Sequence, residues 1–484
     1  MNPQRKRIGI IGGLGALGAA DIFFKLVQAT PSASGRDQYD LMFEQRPFDE
    51  PEAAGAEEAS LTARKLYVFD MIRHFEARQA DAVLLPCFIS HTFLDEIANE
   101  VRVPILDIRD ALVSHVQRRY AEARRIGVLT SDRVRRHRLF EIAFERAGLT
   151  VIQPAPDVQQ AALMPAIYGA NGIKSGHLQG EAIDLLERAC RSLLDQGAEL
   201  IVPGFTEIPI VIEALRERGV PIVDSNRVYA AHAVTDTGSA KARPFKVGVV
   251  GGVGPAATAD FMRKIVLNTT AARDQDHIKI VVEQNPQIPD RTANLIGDGP
   301  DPTVALYATC KKLEAGDADL IAIPCNTAHA FVERIQPYLS IPIVNMLHET
   351  VRHLREHHPD CQRVGLLATS GTLGSRVYHE AVEGAGLEAI APDEANQARV
   401  MNAIYGEKGV KAGFTEGECR DDLMLALAHL VERGAQAVIL GCTELPLLLA
   451  QSAAFPVAGT QVVLLDPTDI LARKCVALAH VDAP

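Results

Sequence analysis

The sequence predicts an α/β protein built as a tandem duplication, in which each half contains two pseudo-symmetric lobes with mainly parallel sheets flanked by helices. Three observations support this prediction. Motifs of the first half return in the same order in the second half. Short, continuously apolar runs alternate with helical stretches, which is typical of parallel strands buried on both faces. The chain has 484 residues, about three times the ~150 residues of an average domain.

Five pairs of motifs carry the duplication, and the two copies of each pair lie 237 to 239 residues apart. Self-similarity at a fixed spacing is the signature of a duplicated unit. The pairs predict a divergent domain over residues 1–236, a polar linker over residues 237–245 and a second domain over residues 246–484. The pairs are Ile8-Gly-Ile-Ile-Gly-Gly-Leu-Gly and Val247-Gly-Val-Val-Gly-Gly-Val-Gly, Arg36-Asp-Gln and Arg273-Asp-Gln, Leu85-Pro-Cys and Ile323-Pro-Cys, Ala166-Ile-Tyr-Gly and Ala403-Ile-Tyr-Gly, and Gly204-Phe-Thr-Glu and Gly441-Cys-Thr-Glu.

Each half also contains a fainter repeat, in which an apolar run, a turn and a helical segment lead to another apolar run. Ala82-Val-Leu-Leu-Pro-Cys leads in this way to Val103-Pro-Ile-Leu-Asp, and Glu199-Leu-Ile-Val-Pro-Gly leads to Val220-Pro-Ile-Val-Asp. The second half repeats both patterns. Such alternation indicates βαβ units, and we therefore expect two lobes in each half.

Composition excludes several classes of protein. The net charge is −12 without a basic block, so nucleic-acid binding is not expected. The apolar stretch after Arg5 resembles a secretory signal, but a near-copy begins in mid-chain at Lys246, which favours a strand followed by a glycine loop. Since no apolar run approaches the ~20 residues that span a bilayer, we expect no membrane contact and a cytoplasmic location. Eight cysteines without a Cys-x-x-Cys pair predict reduced thiols and no metal site.

The candidate chemistry lies at four equivalent strand-to-helix turns. These turns carry Cys87, Phe205, Cys325 and Cys442. In parallel sheets ligands bind beyond the carboxyl ends of the strands, where helix dipoles and free backbone N–H groups favour thiolate. If the two lobes face each other, Cys325 and Cys442 meet across one cleft, which suggests proton transfer on both faces of a carbon. We interpret the remaining cysteines as structural: Cys190, Cys310, Cys361, Cys419 and Cys475.

Other polar residues near these turns admit two interpretations. Arg291 and Lys411 are candidates for holding substrate carboxylates, or are ordinary surface cations. The side chains that follow the cysteines contact the substrate or cap the next helix.

The segment Gly13-Leu-Gly-Ala-Leu-Gly matches the spacing of glycines in dinucleotide-binding loops, but its second copy lacks the third glycine. A loop that approaches a small carboxylate therefore suits the sequence better than a nucleotide site.

The second half resembles the pyridoxal-independent aspartate/glutamate racemase superfamily, and most closely its aspartate racemase branch. The resemblance covers nearly all of residues 245–484, and Glu444 is the residue typical of the aspartate branch at its position. The motifs that carry it are Gly251-Gly-Val-Gly-Pro-Ala-Ala-Thr, Asn285-Pro, Pro289-Asp-Arg-Thr, Pro324-Cys-Asn-Thr-Ala-His, Ala368-Thr-Ser-Gly-Thr, Lys408-Gly-Val-Lys-Ala-Gly and Gly441-Cys-Thr-Glu-Leu-Pro.

The resemblance implies a two-lobed unit that needs no cofactor and uses Cys325 and Cys442 as catalytic thiols. It implies that Arg291 and Lys411 hold the carboxylates of a small acidic amino acid. Since family members commonly dimerise, the two halves are expected to form an intramolecular pseudo-dimer, with a further homo-oligomer possible. The other substrate contacts that we expect are Asn326, Thr327, Thr372, Thr443, Gly252 and Val253.

The first half resembles the same family but departs from it at the site. Phe205 stands where the second thiol is expected, and the position that matches Arg291 falls at Glu52 or Ala53. We therefore expect a degenerate partner, with a regulatory binder or a one-thiol enzyme as alternatives. The polar pair after the first cysteine is replaced by Phe88-Ile89, and the Gly-Thr of the Ala368 motif by Arg133-Val134. The candidate site residues kept in this half are Cys87, Lys174 and Thr206.

The leading hypothesis is a cofactor-independent racemase that interconverts L- and D-aspartate, or glutamate, in the second half. One alternative is decarboxylation or cis–trans isomerisation of a small diacid on the same scaffold. Another is a non-catalytic protein that binds an acidic amino acid.

Overall fold

The computed structural model describes residues 6–29, 39–48, 57–235 and 244–481. The chain divides into two compact units, Met1–Arg243 and Pro244–Pro484. Most of the predicted linker over residues 237–245 lies outside the described residues. We refer to the two parts as the first unit and the second unit, and each is described by itself.

The first unit contains two parallel sheets in its described residues, with strand orders β2-β1-β3-β4 and β6-β5-β7. The first copy of the duplicated glycine motif forms β1, and its Ile8 pairs with Ala82 of β3. The strands are β1 (Lys6–Ile11), β2 (Tyr39–Glu44), β3 (Ala82–Leu84), β4 (Ile105–Leu106), β5 (Arg125–Leu129), β6 (Thr150–Ile152) and β7 (Leu200–Pro203).

The second unit repeats this plan with strand orders β11-β10-β8-β9 and β13-β12-β14-β16-β15. All pairings are parallel except that of β15 with β16, an antiparallel hairpin that the sequence analysis did not predict. The strands are β8 (Lys246–Gly251), β9 (Lys279–Gln284), β10 (Leu320–Ala322), β11 (Ile343–Val344), β12 (Arg363–Leu367), β13 (Glu388–Ile390), β14 (Ala437–Leu440), β15 (Ser452–Val457) and β16 (Thr460–Leu465).

Helices connect the strands and cover the sheets. In the first unit they are α1 (Ala16–Ala29), α2 (Glu57–Ala77), α3 (Leu94–Ala98), α4 (Ile108–Arg119), α5 (Asp132–Arg136), α6 (Leu139–Arg146), α7 (Pro156–Val158), α8 (Met164–Tyr168), α9 (Glu181–Asp195), α10 (Ile212–Glu217) and α11 (Ser225–Thr235). In the second they are α12 (Pro255–Asn268), α13 (Arg291–Ile296), α14 (Thr303–Ala315), α15 (Val332–Ile335), α16 (Met346–His357), α17 (Ser370–Gly374), α18 (Val377–Gly384), α19 (Glu394–Tyr405), α20 (Glu418–Glu432) and α21 (Pro467–Val481).

The central strands are buried because apolar side chains occupy both of their faces. Every residue of β3, β7, β10 and β14 is buried. This burial explains why these segments read as continuous apolar runs instead of alternating patterns. The predicted fold class is therefore confirmed. None of the helices in the described part of the chain has the length and apolarity needed to span a membrane.

Candidate functional site

The candidate site is a cavity in the second unit, beyond the carboxyl ends of β10 and β14. These strands belong to the two different sheets of the unit, so both lobes contribute to the walls. Most of the predicted site residues line this cavity, whereas Gly252 and Thr372 do not. The lining residues are Val253, Arg291, Thr292, Cys325, Asn326, Thr327, Thr369, Tyr405, Lys411, Cys442, Thr443 and Glu444.

Cys325 is held by the turn that follows β10. Its backbone N–H donates to Ile323 O at 2.7 Å, and its carbonyl accepts from Nδ1 of the buried His329 at 2.9 Å. Nε2 of the same ring accepts from the Met346 N–H at 3.1 Å, so the imidazole is neutral with its proton on Nδ1. Burial lowers the pKa of His329 to about 4, which keeps the ring in this state at neutral pH.

Arg291 supplies the cation beside this first thiol. It begins α13, where the Asp290 side chain caps the helix by accepting from the Ala293 N–H at 2.7 Å. Burial lowers the pKa of Arg291, but the Cys325 sulfur, Asp290 and Tyr405 together raise it by more, so the guanidinium is charged. Its Nε has no hydrogen-bond partner among the described residues. A half-buried guanidinium with an unused Nε–H is suited to binding a carboxylate.

Cys442 lies in the opposite electrostatic environment. Its thiol donates to Glu444 Oε2 at 3.1 Å, and Lys411 Nζ donates to Oε1 of the same carboxylate at 2.6 Å. Burial raises the pKa of Cys442 well above its ordinary value, and the negative charge of Glu444 raises it further. The sequence-based expectation that both turns favour thiolate is thus wrong for Cys442. Only a short 3-10 helix, Leu445–Leu447, follows this cysteine, and a buried carboxylate lies next to it.

Polar groups of the first lobe and α17 complete the wall. The hydroxyl groups of Thr292, Thr327, Thr369 and Thr372 form a hydrogen-bonded cluster with Oγ–Oγ distances of 2.7 to 3.3 Å. Thr372 therefore supports the cavity from behind instead of lining it. Asn326 accepts from the hydroxyl of a buried tyrosine, Tyr378, at 2.6 Å, while its Nδ2 has no partner within the described residues. A buried amide donor of this kind is available to a ligand.

The glycine loop after β8 lies against this site. Gly252 has φ +86° and Gly254 has φ +124°, which are conformations that favour glycine. A Cβ added to Gly254 would lie 2.5 Å from Glu444 Oε1, and one added to Gly252 would lie 2.3 Å from the backbone of Asn285. Gly254 must therefore lack a side chain so that the loop can approach the Glu444 carboxylate of the opposite lobe.

The first unit contains a corresponding cavity around Cys87. The predicted residues Lys174 and Thr206 line it, as does Phe205, which replaces the second thiol. The position that matches Arg291, Glu52 or Ala53, lies outside the described residues. A different cation, Arg64 from α2, donates to Cys87 Sγ at 3.4 Å.

Sequence reasoning missed several residues of the two cavities. Tyr405 and Glu444 occur in the duplicated motifs Ala-Ile-Tyr-Gly and Gly-x-Thr-Glu, so the repeat itself could have identified them. Thr292 and Thr369 lie in motifs that were recognised for their neighbours. Arg64 carried no comparable signal. The five cysteines interpreted as structural are buried, and none of them lines either cavity.

Comparison with known proteins is consistent with this architecture. A sequence model of the family Asp/Glu/hydantoin racemase matches residues 11–233 and again residues 250–475. The chain belongs to the Asp/Glu/hydantoin racemase family. The two matches confirm the predicted tandem of two racemase-family units, and the family supports a racemase-type isomerase.

Relatives within the racemase family include enzymes named for amino acids. The chain is 27% identical over 239 residues to the broad specificity amino-acid racemase RacX of Bacillus subtilis, which covers 48% of this chain and 96% of that protein. It is 29% identical over 169 residues to the glutamate racemase of Acidothermus cellulolyticus, covering 34% of this chain and 60% of that protein. The solved structure of Picrophilus torridus aspartate racemase is 28% identical, covers 49% of this chain and 94% of that one, and has a TM-score of 0.43.

Proposed function

We propose that residues 246–484 form an amino-acid racemase that interconverts the L and D forms of a small acidic amino acid. Aspartate is the preferred substrate and glutamate the second. The observation that carries the proposal is a single cavity lined by two thiols from opposite lobes, Cys325 and Cys442, in opposite electrostatic environments. The first unit, residues 1–236, is a partner that does not racemise.

The charges of the cavity favour a substrate with two carboxylates. Arg291 and Lys411 contribute two positive charges, and each of them lies next to one negative group, the Cys325 sulfur and Glu444 respectively. An acidic amino acid presents two carboxylates, one for each of these cations. Arg291 is placed to hold one carboxylate and Lys411 the other, while Asn326 Nδ2 and the threonine hydroxyls supply further donors.

The proposed reaction moves one proton on and one proton off the α carbon. In one direction the Cys325 sulfur, as thiolate beside Arg291, removes the α-proton. The protonated Cys442 then delivers its proton to the opposite face. In the other direction Cys442 first passes its proton to Glu444 Oε2 at 3.1 Å and Cys325 takes up a proton from solvent. Cys442 then removes the α-proton, and Cys325 delivers its own proton to the opposite face. Each thiol thus acts as base for one enantiomer and as acid for the other.

The intermediate carries a negative charge that spreads onto the α-carboxylate. A buried guanidinium and fixed hydrogen-bond donors stabilise such a charge more effectively than water does, because they are oriented before the reaction begins. We propose that the half-buried Arg291 and the buried Asn326 serve this purpose. The same groups allow the α-proton to leave without help from pyridoxal phosphate.

The experiment is incubation of the full-length protein with L-aspartate, L-glutamate and several neutral amino acids in D₂O, without added pyridoxal phosphate. Loss of the α-proton is followed by NMR and the D isomer by chiral chromatography. We expect exchange together with inversion for aspartate, and less for glutamate. Proton NMR also detects the alternative reactions, since decarboxylation or alkene isomerisation of a diacid changes the carbon skeleton or its geometry.

The control variant is Cys361→Ser. Cys361 is buried away from the cavity and its thiol donates to Arg363 O at 3.7 Å, a bond that a hydroxyl can replace. This variant should racemise normally, whereas Cys325→Ser with Cys442→Ser should be inactive. Normal racemisation by the double variant would exclude the proposal.

A further inference from the structure

The cavity of the first unit differs from that of the second in the chemistry of its walls. Phe88 and Ile89 occupy the positions of Asn326 and Thr327, and Phe205 occupies that of Cys442. The groups that would hold a second polar head of a ligand are therefore replaced by apolar surface.

Packing holds these aromatic rings in place. The Phe88 ring lies 5.4 Å from that of Phe140, and the Phe205 ring lies 6.0 Å from that of Tyr168. Phe88 and Phe205 are almost completely buried, at 4% and 5% exposure. The apolar wall is thus a fixed part of the cavity.

The same cavity retains two cations. Arg64 Nη1 donates to Cys87 Sγ at 3.4 Å, and Arg64 is itself buried. Lys174 Nζ lies 3.4 Å from Glu207 Oε1, a looser ion pair than the 2.6 Å pair of Lys411 with Glu444. Both Arg64 and Lys174 line the cavity. Two cations, one of them paired with Glu207, together with an apolar wall in one cavity are the features of a site for an amphipathic anion.

We propose that the first unit binds a small monocarboxylate with an apolar substituent. The carboxylate lies between Arg64 and Lys174, and the substituent contacts Phe88, Ile89 and Phe205. Because Phe205 cannot transfer a proton, the ligand is bound without inversion at its α carbon. This proposal does not depend on racemisation by the second unit.

Calorimetric titration of the full-length protein with 3-phenylpropionate and L-phenylalanine tests the proposal, with succinate as the dicarboxylate for comparison. The variants are Arg64→Met and Lys174→Met in the first unit and Lys411→Met in the second. We expect one site per chain for at least one of the two aromatic monocarboxylates. Its affinity should fall about 10- to 100-fold in Arg64→Met and Lys174→Met, because each loses a charged contact, and remain unchanged in Lys411→Met.

Lys174→Met is a safer variant than Arg64→Met, since the lysine side chain is 33% exposed whereas Arg64 is buried. Phe205→Ser provides an independent variant, which should weaken the binding of 3-phenylpropionate but not that of succinate. Absence of binding by both monocarboxylates would overturn the proposal. So would binding that Lys411→Met abolishes and Lys174→Met leaves intact. A failure of the racemase proposal would be recognised separately, because it concerns α-proton exchange in the second unit.

Discussion

In each unit a cavity lies beyond the carboxyl ends of an equivalent pair of strands, but different side chains line the two cavities. The second unit presents two thiols, Cys325 and Cys442, and a cluster of threonine hydroxyls. The first presents one thiol, Cys87, opposite an aromatic ring. The strands, the turns and the lysine–glutamate pair are common to both. This comparison indicates that the sheets determine where the cavity lies, whereas a few side chains at the strand ends determine which chemistry the cavity supports.

The largest expected effect separates the cysteines of the two units. Cys325→Ser or Cys442→Ser should each lower aspartate racemisation by about 10⁴-fold, because each removes a proton-transfer group. Cys87→Ser should leave the rate within about twofold, since the first unit does not racemise in this account. Chiral chromatography of D-aspartate measures all three. An equal loss in Cys87→Ser would show that the units do not differ as proposed.

A smaller effect separates the two buried glutamates. Glu444→Gln removes the carboxylate that accepts the Cys442 proton and pairs with Lys411, and we expect kcat to fall about 100-fold. Burial still raises the pKa of Cys442 in this variant, but the contribution of Glu444 is lost, so the alkaline limb of the pH–rate profile should move to lower pH. Glu207→Gln is the matched control and should racemise normally. Identical pH profiles for Glu444→Gln and the unaltered protein would contradict the proposed role.

The two units should also respond differently to acid. Burial lowers the pKa of His329 to about 4 in the folded protein. Between about pH 6.5 and pH 4 this histidine is therefore protonated in the unfolded state but not in the folded state. Stability of the second unit should therefore fall as the pH falls through this window, by on the order of 3 kcal/mol. The counterpart His91 has an acidic neighbour, with Nδ1 3.5 Å from Asp107 Oδ1.

Amide hydrogen exchange resolved by peptide, at pH 7.5 and at pH 5, measures this difference. Peptides from the core of the second unit should lose more protection than their counterparts in the first. In His329→Gln the loss should be smaller, because the titrating group is gone. Equal loss in both units of the unaltered protein would show that His329 is not the cause.

The smallest expected effect concerns a variant in which the first unit, and not the second, contains two thiols in its cavity. Phe205→Cys, introduced together with Cys325→Ser and Cys442→Ser, restores two thiols to the first unit. We expect no detectable racemisation of aspartate, because Phe88 and Ile89 still replace the polar contacts of Asn326 and Thr327. Recovery of aspartate racemisation would mean that the second thiol alone separates the two cavities.

The duplication and the parallel strands could be predicted from the sequence because both depend on local pattern and repetition. Cys325, Cys442, Arg291 and Lys411 were predicted from motifs, and their assembly around one cavity follows from the way that parallel sheets end. Arg64 could not be predicted, since it reaches Cys87 from the middle of α2 and matches no cation at the same offset in the second unit. The high pKa of Cys442 was also inaccessible, because it depends on burial and on the direction of the Glu444 side chain.

The most direct test of the central claim is α-proton exchange in D₂O by the two single-cysteine variants, each supplied separately with L- and D-aspartate. With Cys442→Ser, the remaining base should exchange the α-proton of one enantiomer without inverting it. With Cys325→Ser, exchange should be confined to the other enantiomer. Such mirror-image exchange is expected if the two thiols transfer protons on opposite faces of the substrate. If both variants exchange the same enantiomer, or if either still racemises, the two thiols do not act on opposite faces of the substrate.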